Sequence, residues 1–145
     1  MKNLIYKTGI SLLIVLWIYV AGSKLLEYNS FRHQLTLQHF PIKIEGILVW
    51  LLPAIELITA LLLTSSKTVI TGLYASAVLL VMFTGYIAFI LTGIYPSAPC
   101  SCGGVLSMLS WKGHFGFNLI FLSINVWALY EFHQKRKEAR KKDSI

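Results

Sequence analysis

Four apolar runs dominate the chain, each near the length of a membrane-crossing helix. The first covers about residues 4–26 and is interrupted only by Lys7 and Lys24 near its ends. The second, 46–64, contains Glu56. The third, 69–95, carries no charge, and the fourth, 113–132, carries none until Glu131. About 20 residues of helix cross roughly 30 Å of hydrocarbon. A backbone placed there has to satisfy its own hydrogen bonds, so isolated apolar runs of this length predict helices. The expected fold is therefore all-α, an integral membrane four-helix bundle. Pro53 is expected to bend the second helix, which neighbouring helices tolerate.

The polar intervals define the connections. Ser65-Ser66-Lys67-Thr68 predicts a tight turn, making the second and third spans a hairpin. The interval 27–45 is longer and mixed. Asn29 or Ser30 can cap a short helix there that ends near Gln38, before Pro41. Phe31, Leu35 and Leu37 give it an apolar face, so an interfacial helix in the first outer loop is expected. The third loop, 96–112, holds Pro96, Pro99, Gly103 and Gly104, and its stretch 105–111 is apolar enough to dip toward the bilayer.

Composition supports the membrane reading. Of 145 residues, 13% are charged and 56% hydrophobic, whereas a soluble domain averages about 25% charged. The mean hydropathy is +0.67. The net charge of +7 does not point to nucleic acid, because the basic residues cluster beside an apolar span, where anionic lipid headgroups are the simpler partner. Residues 1–132 form the expected membrane domain and 133–145 a basic cytoplasmic tail.

Lysine and arginine predict the orientation. With four spans, the termini and the 65–68 turn share one side. That side holds Lys2, Lys7, Lys67, Lys135, Arg136, Lys137, Arg140, Lys141 and Lys142. The other holds Lys24, Arg32, Lys43 and Lys112. The excess places both termini in the cytoplasm, across a bacterial inner membrane. Residues 1–23 also have the make-up of a signal peptide, with Val20-Ala21-Gly22 as a cleavage site; the length of the apolar run favours a retained anchor.

The only two cysteines, Cys100 and Cys102, then fall on the outer loop, in an oxidising compartment where disulfides persist. Cysteines at i and i+2 reach disulfide distance only in a bent conformation. Such a bridge closes little chain and adds little stability; a labile pair of this kind suits thiol exchange. Gly103 and Gly104 leave room for an approaching sulfur. Two reduced cysteines in a turn, or an inert local disulfide, are the alternatives. A metal site is not expected, because His114 and one further ligand would be needed at no familiar spacing.

His114 and Asn118 lie four apart, on one face of the fourth helix near the loop. His114 can accept a thiol proton or stabilise a thiolate, and Asn118 can orient it or bind a polar headgroup. Equally, Trp111 and His114 suit the interfacial belt, with Trp111 best read as an anchor, and Asn118 suits a bond between helices. Glu56 falls near mid-membrane, where a charge costs several kcal/mol, so it should be paired, protonated or turned into the bundle. It reads either as a proton-handling group beside thiol chemistry or a bound quinone, or as a structural glutamate. Lys24 can reach inward toward it. His33 and His39 read as surface residues.

With these residues in place the chain resembles the MauE branch of the DoxX-like membrane proteins, in a form common in Bacteroidetes. The resemblance rests on Ser23-Lys24-Leu25-Leu26, Leu52-Pro53-Ala54-Ile55-Glu56, Gly72-Leu73-Tyr74-Ala75-Ser76 and Phe83-Thr84-Gly85-Tyr86-Ile87. Its most specific block is Pro99-Cys100-Ser101-Cys102-Gly103-Gly104 with Trp111, His114 and Asn118. Many relatives have Phe-Gly after the second cysteine and arginine before the asparagine; here Gly103-Gly104 and Phe117-Asn118 stand instead, so that arginine's role does not transfer. The resemblance implies a membrane protein associated with disulfide chemistry outside the cytoplasm, under a family label of methylamine utilisation, working with a thioredoxin-like partner. The expected function is a thiol/disulfide relay or maturation factor using Cys100 and Cys102, with His114 assisting and Glu56, Trp111 and Asn118 near a quinone. A non-catalytic assembly factor and a proton-coupled transporter using Glu56 are the alternatives.

Overall fold

The computed structural model of the chain describes residues 2–37, 44–93 and 109–143. Five helices occur there: α1 (Lys2–Leu26), α2 (Tyr28–Thr36), α3 (Glu45–Thr64), α4 (Val69–Leu91) and α5 (Trp111–Asp143). No strand occurs among the described residues. Four of the helices, all but α2, are long and apolar enough to span a membrane.

The long helices close into a ring, α1 against α3 and α5, and α4 against the same two. The turn 65–68 makes α3 and α4 a hairpin, held by the Thr68 hydroxyl donating to the Leu62 carbonyl at 2.8 Å. Gly72 sits where the hairpin is tightest. A Cβ there would lie 2.9 Å from the Leu63 backbone nitrogen, so a hydrogen at this position lets the two backbones approach. Leu13, Trp17, Leu73, Leu80 and Ala128 form the packed centre, each at most 1% exposed. Val15, Leu61, Met82 and Ile120 point outward and are more than half exposed. Large apolar side chains on both the inner and the outer faces are what hydrocarbon surroundings select.

Several boundaries differ from those the sequence predicts. Helix α2 starts at Tyr28, with Glu27 at its N-cap position and no side-chain capping bond there, so Asn29 and Ser30 fall inside its first turn. Its apolar face is used for packing: Phe31 and Leu35 are buried against Val49, while Leu37 remains exposed. Helix α4 ends at Leu91 rather than Tyr95. Gly93 takes φ +81°, and its N–H donates to the Ile90 carbonyl at 3.0 Å, the left-handed glycine stop of many helices. Helix α3 runs unbroken through the buried Pro53. Helix α5 does not stop at Phe132 but continues to Asp143, because the basic run after it is made of good helix formers.

The two ends of the bundle are distinct. The turn end carries the start of α1, the 65–68 turn and the extension of α5. The loop end carries α2, the end of α4 and the start of α5. His39 and the apolar stretch 105–108 lie outside the described residues.

Candidate functional site

A buried ion pair joins α1 to α3 toward the loop end. Lys24 Nζ stands 2.5 Å from Glu56 Oε1, with side-chain exposures of 4% and 0%. Either charge alone in this apolar setting would be costly; together they neutralise each other. Lys24 sits close to the C-terminal end of α1, and its long stem lets the ammonium reach inward to a residue in the middle of α3. The ammonium is also 5.8 Å from the Phe31 ring centroid and 5.6 Å from that of Phe83, within the range of cation–π attraction. Glu56 Oε2 is buried and has no hydrogen-bond partner among the described residues.

Next to this pair is a cavity of about 250 Å³. All five helices contribute to its wall: Trp17 and Lys24 from α1, Phe31 from α2, Leu52 from α3, Phe83 and Tyr86 from α4, and Trp111, His114 and Asn118 from α5. His114 is 2% exposed, and its ring lies 6.3 Å from that of Trp111 at 53°. The i, i+4 spacing places His114 and Asn118 on the same wall, as the helical period requires. Glu56 is not a lining residue; it meets the cavity through Lys24.

Of the residues singled out in the sequence, Trp111, His114 and Asn118 come together here, and Glu56 stands one side chain away. His33 is exposed on α2. Cys100 and Cys102 lie outside the described residues. They belong to the segment 94–108, which joins the end of α4 to the start of α5, and Ile87 and Trp111 near those two ends both line the cavity. Among the described residues no group of three histidine, cysteine, aspartate or glutamate side chains is placed to hold a metal ion.

The sequence underplays Lys24, the one charged side chain in the cavity wall; its signal was a lysine in an apolar run at the reach of a buried glutamate. It gives no hint of two further bonds between helices. Trp17 Nε1 donates to Ser76 Oγ at 2.9 Å, and Asn125 Nδ2 donates to the Leu73 carbonyl at 3.0 Å. Asn125 thus serves the α4–α5 contact. A larger groove of about 860 Å³ at the turn end is open and lined by charged and polar residues, Glu131, Lys135 and Glu138 among them. It is a solvated surface between α1 and the α5 extension.

These features define a small multi-pass helical membrane protein whose helices line an aromatic cavity beside a buried ion pair. The chain matches the family of the methylamine utilisation protein MauE over residues 1–131. It belongs to that family, and so to the membrane proteins associated with methylamine utilisation. No curated protein and no solved structure matches it.

Proposed function

We propose that the protein is a thiol/disulfide relay, or a maturation factor of that chemistry, acting on proteins outside the cytoplasm. Residues 1–132 sit in a bacterial inner membrane with both termini cytoplasmic, and 133–145 form a basic tail on that side. The observation that carries the reading is the placement of the C-x-C motif. Cys100-Ser101-Cys102 belongs to the segment that joins α4 to α5, and the α4 and α5 residues nearest that segment on the cavity wall are Ile87 and Trp111.

The chemistry balances as follows. The two thiols form one S–S bond, releasing two electrons and two protons. A membrane quinone takes both, and its two carbonyl oxygens become hydroxyls. The resulting disulfide exchanges with a thioredoxin-like protein or a client through a mixed disulfide. In the opposite direction the same atoms balance in reverse. His114, in the first turn of α5, takes or returns a thiol proton.

Thiol trapping tests the relay. Cells are acid-quenched, and free thiols are alkylated before and after reduction. Cys100 and Cys102 are expected to shift between dithiol and disulfide as the quinone pool is reduced or oxidised. Cysteines locked in one state, with client maturation intact in Cys100→Ser/Cys102→Ser, would leave a non-catalytic assembly factor instead.

A further inference from the structure

We propose that the cavity at the loop end binds the ring of a membrane quinone, with Lys24 as the residue that holds a carbonyl oxygen. This deepens the relay reading by giving its electron partner a site, but the binding argument stands on geometry alone.

Size comes first. Sites for drug-sized ligands are about 300–1,000 Å³, so 250 Å³ suits a single substituted ring. The wall suits a flat ring as well: Trp17, Phe31, Phe83, Tyr86, Trp111 and Phe117 present aromatic surfaces from four helices, and stacked or tilted rings attract beyond their area. Polar groups are few and come from different sides. Lys24 enters from α1, and His114 and Asn118 from α5. A mostly apolar cavity with a few placed polar groups both binds and orients its ligand.

The ion pair selects the chemical class. An ammonium has three N–H donors and no acceptor, and the bond to Glu56 uses one of them. A neutral carbonyl oxygen can accept from another without disturbing the charge balance. An anionic head group would bring a charge that nothing in the wall offsets, since Glu56 already neutralises Lys24. An acyl chain would fill the aromatic walls but give the ammonium no acceptor. Glu56 therefore acts as a positioning residue for Lys24.

The test uses the full chain in lipid nanodiscs with decylubiquinone as probe. Trp50→Phe and Trp127→Phe leave Trp17 and Trp111, both in the cavity wall, as the only indoles. Saturable quenching of their fluorescence is expected. It should weaken about tenfold or more in Lys24→Met/Glu56→Gln, the loss of one charged hydrogen bond, and stay unchanged in Tyr74→Phe at the turn end. If the double variant does not fold, Lys24→Arg and Asn118→Leu are read instead, each expected to weaken binding several-fold. Quenching that rises linearly and equally in all variants is partition into lipid and overturns the site. Reversal of the quenching by decylbenzene, which has a ring and tail but no carbonyl, at concentrations equal to the probe's overturns the carbonyl contact. Cys100→Ser/Cys102→Ser is expected to keep the quenching. Saturable binding with cysteines that never cycle defeats the relay and leaves the site, whereas cycling cysteines without saturable quenching defeats the site and leaves the relay.

Discussion

A lysine and a glutamate meeting at 2.5 Å inside an apolar bundle depend on each other more than either depends on the pair. Removing one partner leaves the other as an uncompensated buried charge, a loss of about 3–5 kcal/mol, while replacing both with apolar residues of similar volume is close to neutral. Lys24→Met is therefore expected to lower unfolding stability in detergent micelles by that amount, and Lys24→Met/Glu56→Leu to recover most of it. Equal stability of the single and double variants would show that the pair is not coupled. The bond from Trp17 Nε1 to Ser76 Oγ is a smaller matter. Hydrogen bonds between membrane helices average about 0.6 kcal/mol and reach about 1.7, so Ser76→Ala should cost within that range in the same unfolding measurement. The ion pair was half legible in the sequence, because a glutamate in an apolar run demands a partner. The Trp17–Ser76 and Asn125–Leu73 bonds were not, because serine, tryptophan and asparagine can bond across to any neighbouring helix and their spacing in the sequence does not name the partner.

Between helices, close approach is set by small side chains rather than by hydrophobic burial, since lipid tails are as apolar as the core. The α3–α4 hairpin shows this at Gly72, where an added Cβ would sit 2.9 Å from one backbone atom and 3.0 Å from another. Backbone cannot swing aside as a side-chain tip can, so Gly72→Ala should prise the hairpin apart at a cost of about 1–3 kcal/mol. Gly85 meets nothing within 4 Å; Gly85→Ala should be neutral or stabilising by up to about 1 kcal/mol through helix propensity. Thermal midpoints of the two variants side by side check the contrast, and a Gly72→Ala as stable as Gly85→Ala would mean the helices re-pack freely. The helices themselves were readable from length and hydropathy alone. Their ends were less so: Thr92 and Gly93 continue the apolar run in composition, and only the left-handed turn at Gly93 stops α4 at Leu91. The α2 face was legible as apolar, but whether it would meet lipid or protein depended on Val49 and Leu52 of α3 arriving beneath it.

For the molecule as a whole, the cavity is the feature that no single stretch of sequence contains, since five helices must converge before Lys24, Phe31, Phe83 and His114 share one space. Its chemical use depends on which compartment the loop end faces. The charge distribution argues for the outside. Lys135, Arg136, Lys137, Arg140, Lys141 and Lys142 stand on one helical extension at the turn end, and each basic residue near an anionic leaflet contributes about 1 kcal/mol. Basic residues within about 15–20 positions of a span also set its orientation. In a Cys100→Ser/Cys102→Ser background, Ser30→Cys on α2 should react with a membrane-impermeant maleimide in intact spheroplasts. Ser66→Cys in the turn should react only after the membrane is opened. Both positions are exposed, so failure to react cannot be blamed on burial in the bundle. The reverse pattern would put Cys100 and Cys102 in a reducing compartment, where glutathione and thioredoxin keep thiols reduced. A quinone bound beside Lys24 would then have no disulfide to serve, and the relay would fall while the cavity and its ion pair remained.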